Sequence, residues 1–203
     1  DQTVRLMNAG YTPNEIAEEI KLPESLRENF STRGYYGTLK HNVKAVYQAY
    51  MGWFNGNPAL LDPLPEAEAA TRYVDMMGGV DSVVQQAQIL FDKTNQASVD
   101  EVNKEYRWIA QLLNMAVFAE PGNQQAKSLL AKTYDQLAYQ AELVPWRDFY
   151  LTGALELREG PAEEGLKDTL FGDNLSLEGS KLDLVSFFSL LDKPKGTFNI
   201  VEP

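Results

Sequence analysis

Apolar positions along the chain recur every three to four residues, the period of helices packed on one side. Leu39, Val43, Val46, Tyr47, Tyr50 and Phe54 fall on one such stripe, and Val80, Val83, Val84, Ala87, Leu90 and Phe91 on another. Turn-forming residues punctuate the runs. Thr12, Pro13 and Glu15 predict an N-cap, a first helical position and a capping box. NGNP stops the helix that starts at Leu39. Prolines before Glu66 and paired glycines after Met77 bracket the next one. Ser98 with Glu101 predicts a second capping box, opening a helix that runs towards Glu120 and breaks at EPGN. Further helices are expected from about Gln124 to Gln140 and from Pro145 onward. Gly160 to Asn174 is rich in Gly, Pro and acidic residues and reads as a linker. After it, Leu177–Leu191 reads as an amphipathic helix and GTFNIVE as the one convincing strand.

The predicted fold class is therefore all-α, a helical array with a short helix and strand at its end. Within it, Trp108, Leu112, Ala116, Pro121, Ala126, Leu130, Ala131 and Tyr134 sit close to the large, small and turn positions of a tetratricopeptide unit. The alanines let two antiparallel helices approach closely, and the proline breaks the chain between them. One clear unit with a degenerate partner is fewer than an independent solenoid needs, so the array is expected to lean on something else.

Composition narrows the function. The 203 residues carry a net charge of −11, which repels phosphate backbones and anionic lipid and argues against nucleic acid as a partner. No apolar run approaches the length of a membrane span. Residue 1 is charged and the first turns are amphipathic, so no cleavable signal is read, and the compartment stays open between periplasmic, secreted and cytoplasmic. Cysteine is absent and histidine occurs once, at His41. Disulfides, thiolate nucleophiles and the common zinc constellations cannot be built from these residues alone.

The lone histidine stands in RGYYGTLKHNVKAVYQAYMGWFNGNP, residues 33 to 58. A glycine-punctuated loop leads into a helix whose first turn holds Lys40 and His41. A helix start favours an anion, and Arg33 and Lys40 add charge suited to a tetrahedral oxyanion. His41 points away from the apolar stripe and can orient a leaving oxygen or pass it a proton. The other reading makes the aromatics core and interface and leaves His41 and Lys40 solvated.

LMNAGYTPNEIAEEIKLP, TRGYYGTLKHNVKAVYQAYMGWFNGNPA, YVDMMGG and QAELVPWRDFYLTGALELR together resemble, in this order, the alkyl sulfatases of the zinc metallo-β-lactamase superfamily, of the linear primary-alkyl type. The resemblance implies the end of a catalytic part over 1–58, a helical dimerisation domain over 59–160, a linker over 161–175 and the truncated start of a sterol-carrier-like α+β domain over 176–203. The HxHxDH-type signature of the family is missing. The family's two zinc ions are therefore expected to bind outside this chain, which alone is expected to be inactive and to have no metal ligands. By the same resemblance, His41 matches a histidine that contacts the sulfate or the leaving alcohol. Arg33, Tyr35, Asn42 and Tyr47 are candidates to line the pocket. The partners implied are a second copy of the chain and, in the full enzyme, a primary alkyl sulfate ester. The rival readings are a non-catalytic tetratricopeptide-like scaffold for a protein partner and a lipid-carrier module.

Overall fold

The computed structural model describes residues 1–94 and 99–160. The cap expected at Ser98, the linker at 161–175 and the helix and strand expected over 176–203 lie outside the described residues. Among the described residues the chain is helical, without strands. The α-helices are α1 Gln2–Asn8, α2 Pro13–Glu19, α3 Glu24–Arg27, α4 Leu39–Met51, α5 Glu66–Met76, α6 Val80–Thr94, α7 Val99–Ala119, α8 Gln124–Gln140 and α9 Val144–Glu159. Short 3-10 turns cover Phe30–Thr32 and Pro58–Leu60.

Local chemistry sets these boundaries. At α2 the Thr12 hydroxyl faces the Glu15 amide while the Glu15 carboxylate accepts from the Thr12 amide at 2.8 Å, so the expected capping box is present. α4 ends at Met51, three residues before Phe54, with Gly52 at φ 73° as its C-cap. Gly78 and Gly79 both take positive φ, and the Gly79 amide reaches back to the Val74 carbonyl at 2.9 Å, closing α5 and turning the chain into α6. At α8 the Asn123 side chain accepts from the Ala126 amide at 3.0 Å.

Two apolar clusters lie within one compact unit, residues 1–158. The larger is built around α7, which packs against α5, α6 and α8. Tyr106, Ile109, Leu113 and Ala116 recur at helical spacing on its buried face and meet Val83, Val84 and Ala87 of α6 and Ala126, Leu129 and Leu130 of α8. The turn at Glu120–Asn123 is short, so α7 and α8 pack as an antiparallel hairpin. Each fully buried Leu or Ile here contributes about 1.5–3 kcal/mol of apolar burial. The aromatic inside the array is Tyr106, whereas Trp108, the large residue of the expected repeat, is 48 % exposed. On α9, Gly153 lets the helix approach the Tyr134 ring of α8, since a Cβ there would touch that ring at 3.4 Å.

The smaller cluster joins α1, α2 and α4 through Leu6, Ile16, Ala17, Val43 and Tyr47, with Leu39 half-buried beside them. Of the stripe expected on α4, Val43 and Tyr47 are buried, while Val46 and Tyr50 face outward. The stripe is wider than the surface that two short helices can cover.

Candidate functional site

The segment 33–42 links the two clusters. Its loop is tight: a Cβ at Gly34 would sit 2.8 Å from the Gly37 carbonyl oxygen, so glycine is required there on steric grounds. Three contacts hold the segment to the elbow between α8 and α9. Arg33 Nη2 pairs with Glu142 Oε1 at 2.5 Å. The carbonyl of Tyr35 accepts from the Val144 amide at 2.9 Å, satisfying a donor at the start of α9. Trp146 Nε1 donates to His41 Nδ1 at 3.4 Å, with the two rings edge to face.

Beside this segment runs a groove of about 800 Å³, whose apolar lining includes Leu22, Leu39, Leu137, Leu143 and Phe149. Its polar lining carries five cations, Arg27, Arg33, Lys40, Lys44 and Arg107, against two carboxylates, Glu18 and Glu142. A chain of net charge −11 thus gathers positive charge in one place. Glu18 is the hub: it accepts from Lys40 Nζ at 2.8 Å and from Arg107 Nη1 at 2.7 Å. Burial on its own would raise its pKa, but the hydrogen bonds from Lys40 and Arg107 outweigh it and hold the carboxyl at about 2. Lys44 lies on the same face of α4, one turn after Lys40. Its pKa is lowered by burial and by the charges of Arg107 and Lys40, with Glu18 opposing. Cation is in excess over the carboxylates here, so the groove suits an anion with an apolar tail.

The structure brings four of the five candidate residues together along 33–42. Arg33 and Asn42 line the groove; His41 is not among its lining residues but contacts Trp146, which is. Tyr35 lies behind, its ring 5.2 Å from Phe30 and 5.4 Å beneath the Arg33 guanidinium. Tyr47 does not join them, because it is buried in the smaller cluster. Glu18, Lys44, Arg107, Glu142 and Trp146 are part of this arrangement and were not singled out from the sequence as site residues. Only the Lys40/Lys44 spacing of one helical turn offered a local signal. Among the described residues, no three His, Cys, Asp or Glu side chains converge as a metal centre requires, and no helix is long and apolar enough to cross a membrane.

Fold and groove define an all-α segment with a cationic, partly apolar cleft between a small helical cluster and a larger array. Residues 12–160 match the alkyl sulfatase dimerisation family, and the chain belongs to that family. It is 50 % identical over 94 % of its length to a linear primary-alkylsulfatase of a Pseudomonas species. It is 51 % identical over 79 % of its length to the alkyl/aryl-sulfatase BDS1 of Saccharomyces cerevisiae. The solved sec-alkylsulfatase Pisa1 of a Pseudomonas species superposes with a TM-score of 0.71 at 46 % identity, covering 79 % of this chain and 24 % of that one. The chain spans 26 % and 23 % of the two curated relatives, about a quarter of their length.

Proposed function

We propose that the chain is the dimerisation-domain segment of a zinc-dependent enzyme that hydrolyses primary alkyl sulfate esters to alcohol and sulfate. The observation that carries this is the groove: cationic and apolar side chains line it together with Trp146, the partner of His41, in a chain half identical to a linear primary-alkylsulfatase. Arg33, Lys40 and Lys44 supply charge for sulfate oxygens, Leu39 and Phe149 supply a wall for the alkyl chain, and His41 offers a proton or hydrogen bond to the departing oxygen. One histidine and no cysteine do not fit a dinuclear zinc centre, so the two zinc ions are assigned to parts of a longer protein outside these residues.

The same reading makes the segment a self-association module. Outside the groove, Trp53, Trp108 and Tyr139 are exposed and Phe54 is half-buried, leaving large side chains of the kind that fill interface centres. A two-fold homodimer is the commonest way to cover such faces.

The test is His41→Ala in the full-length parent, with release of sulfate from dodecyl sulfate as the readout. Loss of a proton donor costs about 10²–10⁴-fold in turnover. Unchanged turnover in a normally folded, normally metallated variant would remove His41 from the reaction. Light scattering of this chain at micromolar concentration tests the assembly. A monomer mass there counts against it.

A further inference from the structure

The elbow between α8 and α9 does more than hold the 33–42 segment in place. We infer that Trp146 is a positioning residue for His41, its indole N–H fixing the imidazole as the tautomer with the proton on Nε2. The observation is the contact itself. Trp146 Nε1 can only donate, and it reaches His41 Nδ1 at 3.4 Å, so in the neutral ring Nδ1 is the acceptor and Nε2 carries the hydrogen. The edge-to-face arrangement of the rings, with centroids 6.2 Å apart, restricts rotation of the imidazole about its own axis.

The neighbouring contacts keep the two rings facing each other across a sequence separation of 105 residues. Arg33 is tied to Glu142, four residues before Trp146, and the Tyr35 carbonyl to the Val144 amide, two before it. Glu142 and Trp146 flank the start of α9, so the loop and the first turn of α4 are fastened to one rigid corner. A ring oriented this way presents a single N–H, on Nε2, away from the indole. Donation from Nε2 to an anionic oxygen then needs no tautomer change before reaction. This rests on the reading that His41 serves the sulfate ester, but the tautomer is a property of the chain alone.

Because His41 is the only histidine, ¹⁵N–¹H spectra of the ¹⁵N-labelled chain at alkaline pH contain one imidazole ring system and need no assignment. Nδ1 is expected at a pyridine-type shift and Nε2 at a pyrrole-type shift. The Trp146 indole proton should exchange with water about fivefold more slowly than that of the exposed Trp53, the factor a net hydrogen bond gives. Trp146→Phe keeps an aromatic ring but removes the donor, and both nitrogen shifts should move towards averaged values as the second tautomer becomes populated. Glu142→Gln removes a charge from the same corner but keeps a side-chain oxygen that can accept from the Arg33 guanidinium, and should leave the shifts in place. Unmoved shifts in Trp146→Phe, or equal movement in Glu142→Gln, would overturn the inference. If Trp146→Phe does not fold, the wild-type spectrum decides: a proton found on Nδ1, or an indole proton exchanging as fast as that of Trp53, refutes it. The sulfatase reading fails separately, through unchanged turnover of His41→Ala in the full-length enzyme.

Discussion

Removing the Glu18 carboxylate tests whether the cation cluster is held together as the geometry indicates. Glu18→Gln keeps the side-chain volume and deletes the charge that Lys40 and Arg107 share. The three side chains are each 38–39 % exposed, so each pair contributes about 0.5 kcal/mol, the magnitude of a partly screened surface pair, and the two together about 1 kcal/mol. Repulsion among Lys40, Lys44 and Arg107, no longer offset, acts in the same direction. For a unit of this size the melting temperature should fall by about 2–4 °C. The pH dependence separates charge from packing. The Glu18 pKa is depressed from 4.5 to about 2 in the fold, so its contribution is complete above pH 4.5 and is lost as pH falls towards 2. Urea unfolding followed by circular dichroism at pH 7, 4 and 3 should therefore show the gap between wild type and variant narrowing, and added salt at pH 7 should narrow it too. Equal stability at pH 7 would show that Glu18 is not the hub. A gap unchanged down to pH 3 would show that its role is not electrostatic.

Leu113, fully buried among α6, α7 and α8, should cost about 2–5 kcal/mol when changed to alanine, read as a lower urea midpoint with an unchanged slope. Thr12→Ala removes the hydroxyl half of the α2 capping box, leaving the backbone amide of residue 12 to the Glu15 carboxylate, and should cost about 1 kcal/mol, again by urea unfolding. Lys44→Gln should raise the urea midpoint at pH 7. The folded pKa of Lys44 lies below 10.5, so its charged form carries a cost at neutral pH, and the gain should fade as pH rises towards 10.5.

Much of the fold was legible because helix ends announce themselves locally. Thr12, the paired glycines and the span 124–140 all behave as their neighbours in sequence dictate. Faces were less legible than boundaries. Tyr106 and Trp108 are two positions apart, about 200° around a helix, so only one of them can share a face with Ile109 and Leu113, and residue size does not say which. Tyr50 shows the same limit on α4: periodicity marks an apolar side, but the width of the covering helices decides how much of it is buried. At the site, the 33–42 segment was visible as a cluster of glycine, cations and one histidine. Its partners were not, because Arg107, Glu142 and Trp146 lie far along the chain and carry no local mark of the contacts they make.

The fastening of His41 to a corner 105 residues downstream has a consequence for synthesis. The cluster of α1, α2 and α4 can collapse from its own residues as soon as Tyr47 is made. At about 5–20 residues per second, the ribosome needs roughly 5–20 s more before Trp146 exists to meet the imidazole. During that interval the loop at 33–38 and the first turn of α4 are without their clasp, and the closure that forms it is non-local and slow relative to helix formation. The groove is thus assembled late in biogenesis, after the helices on both of its sides.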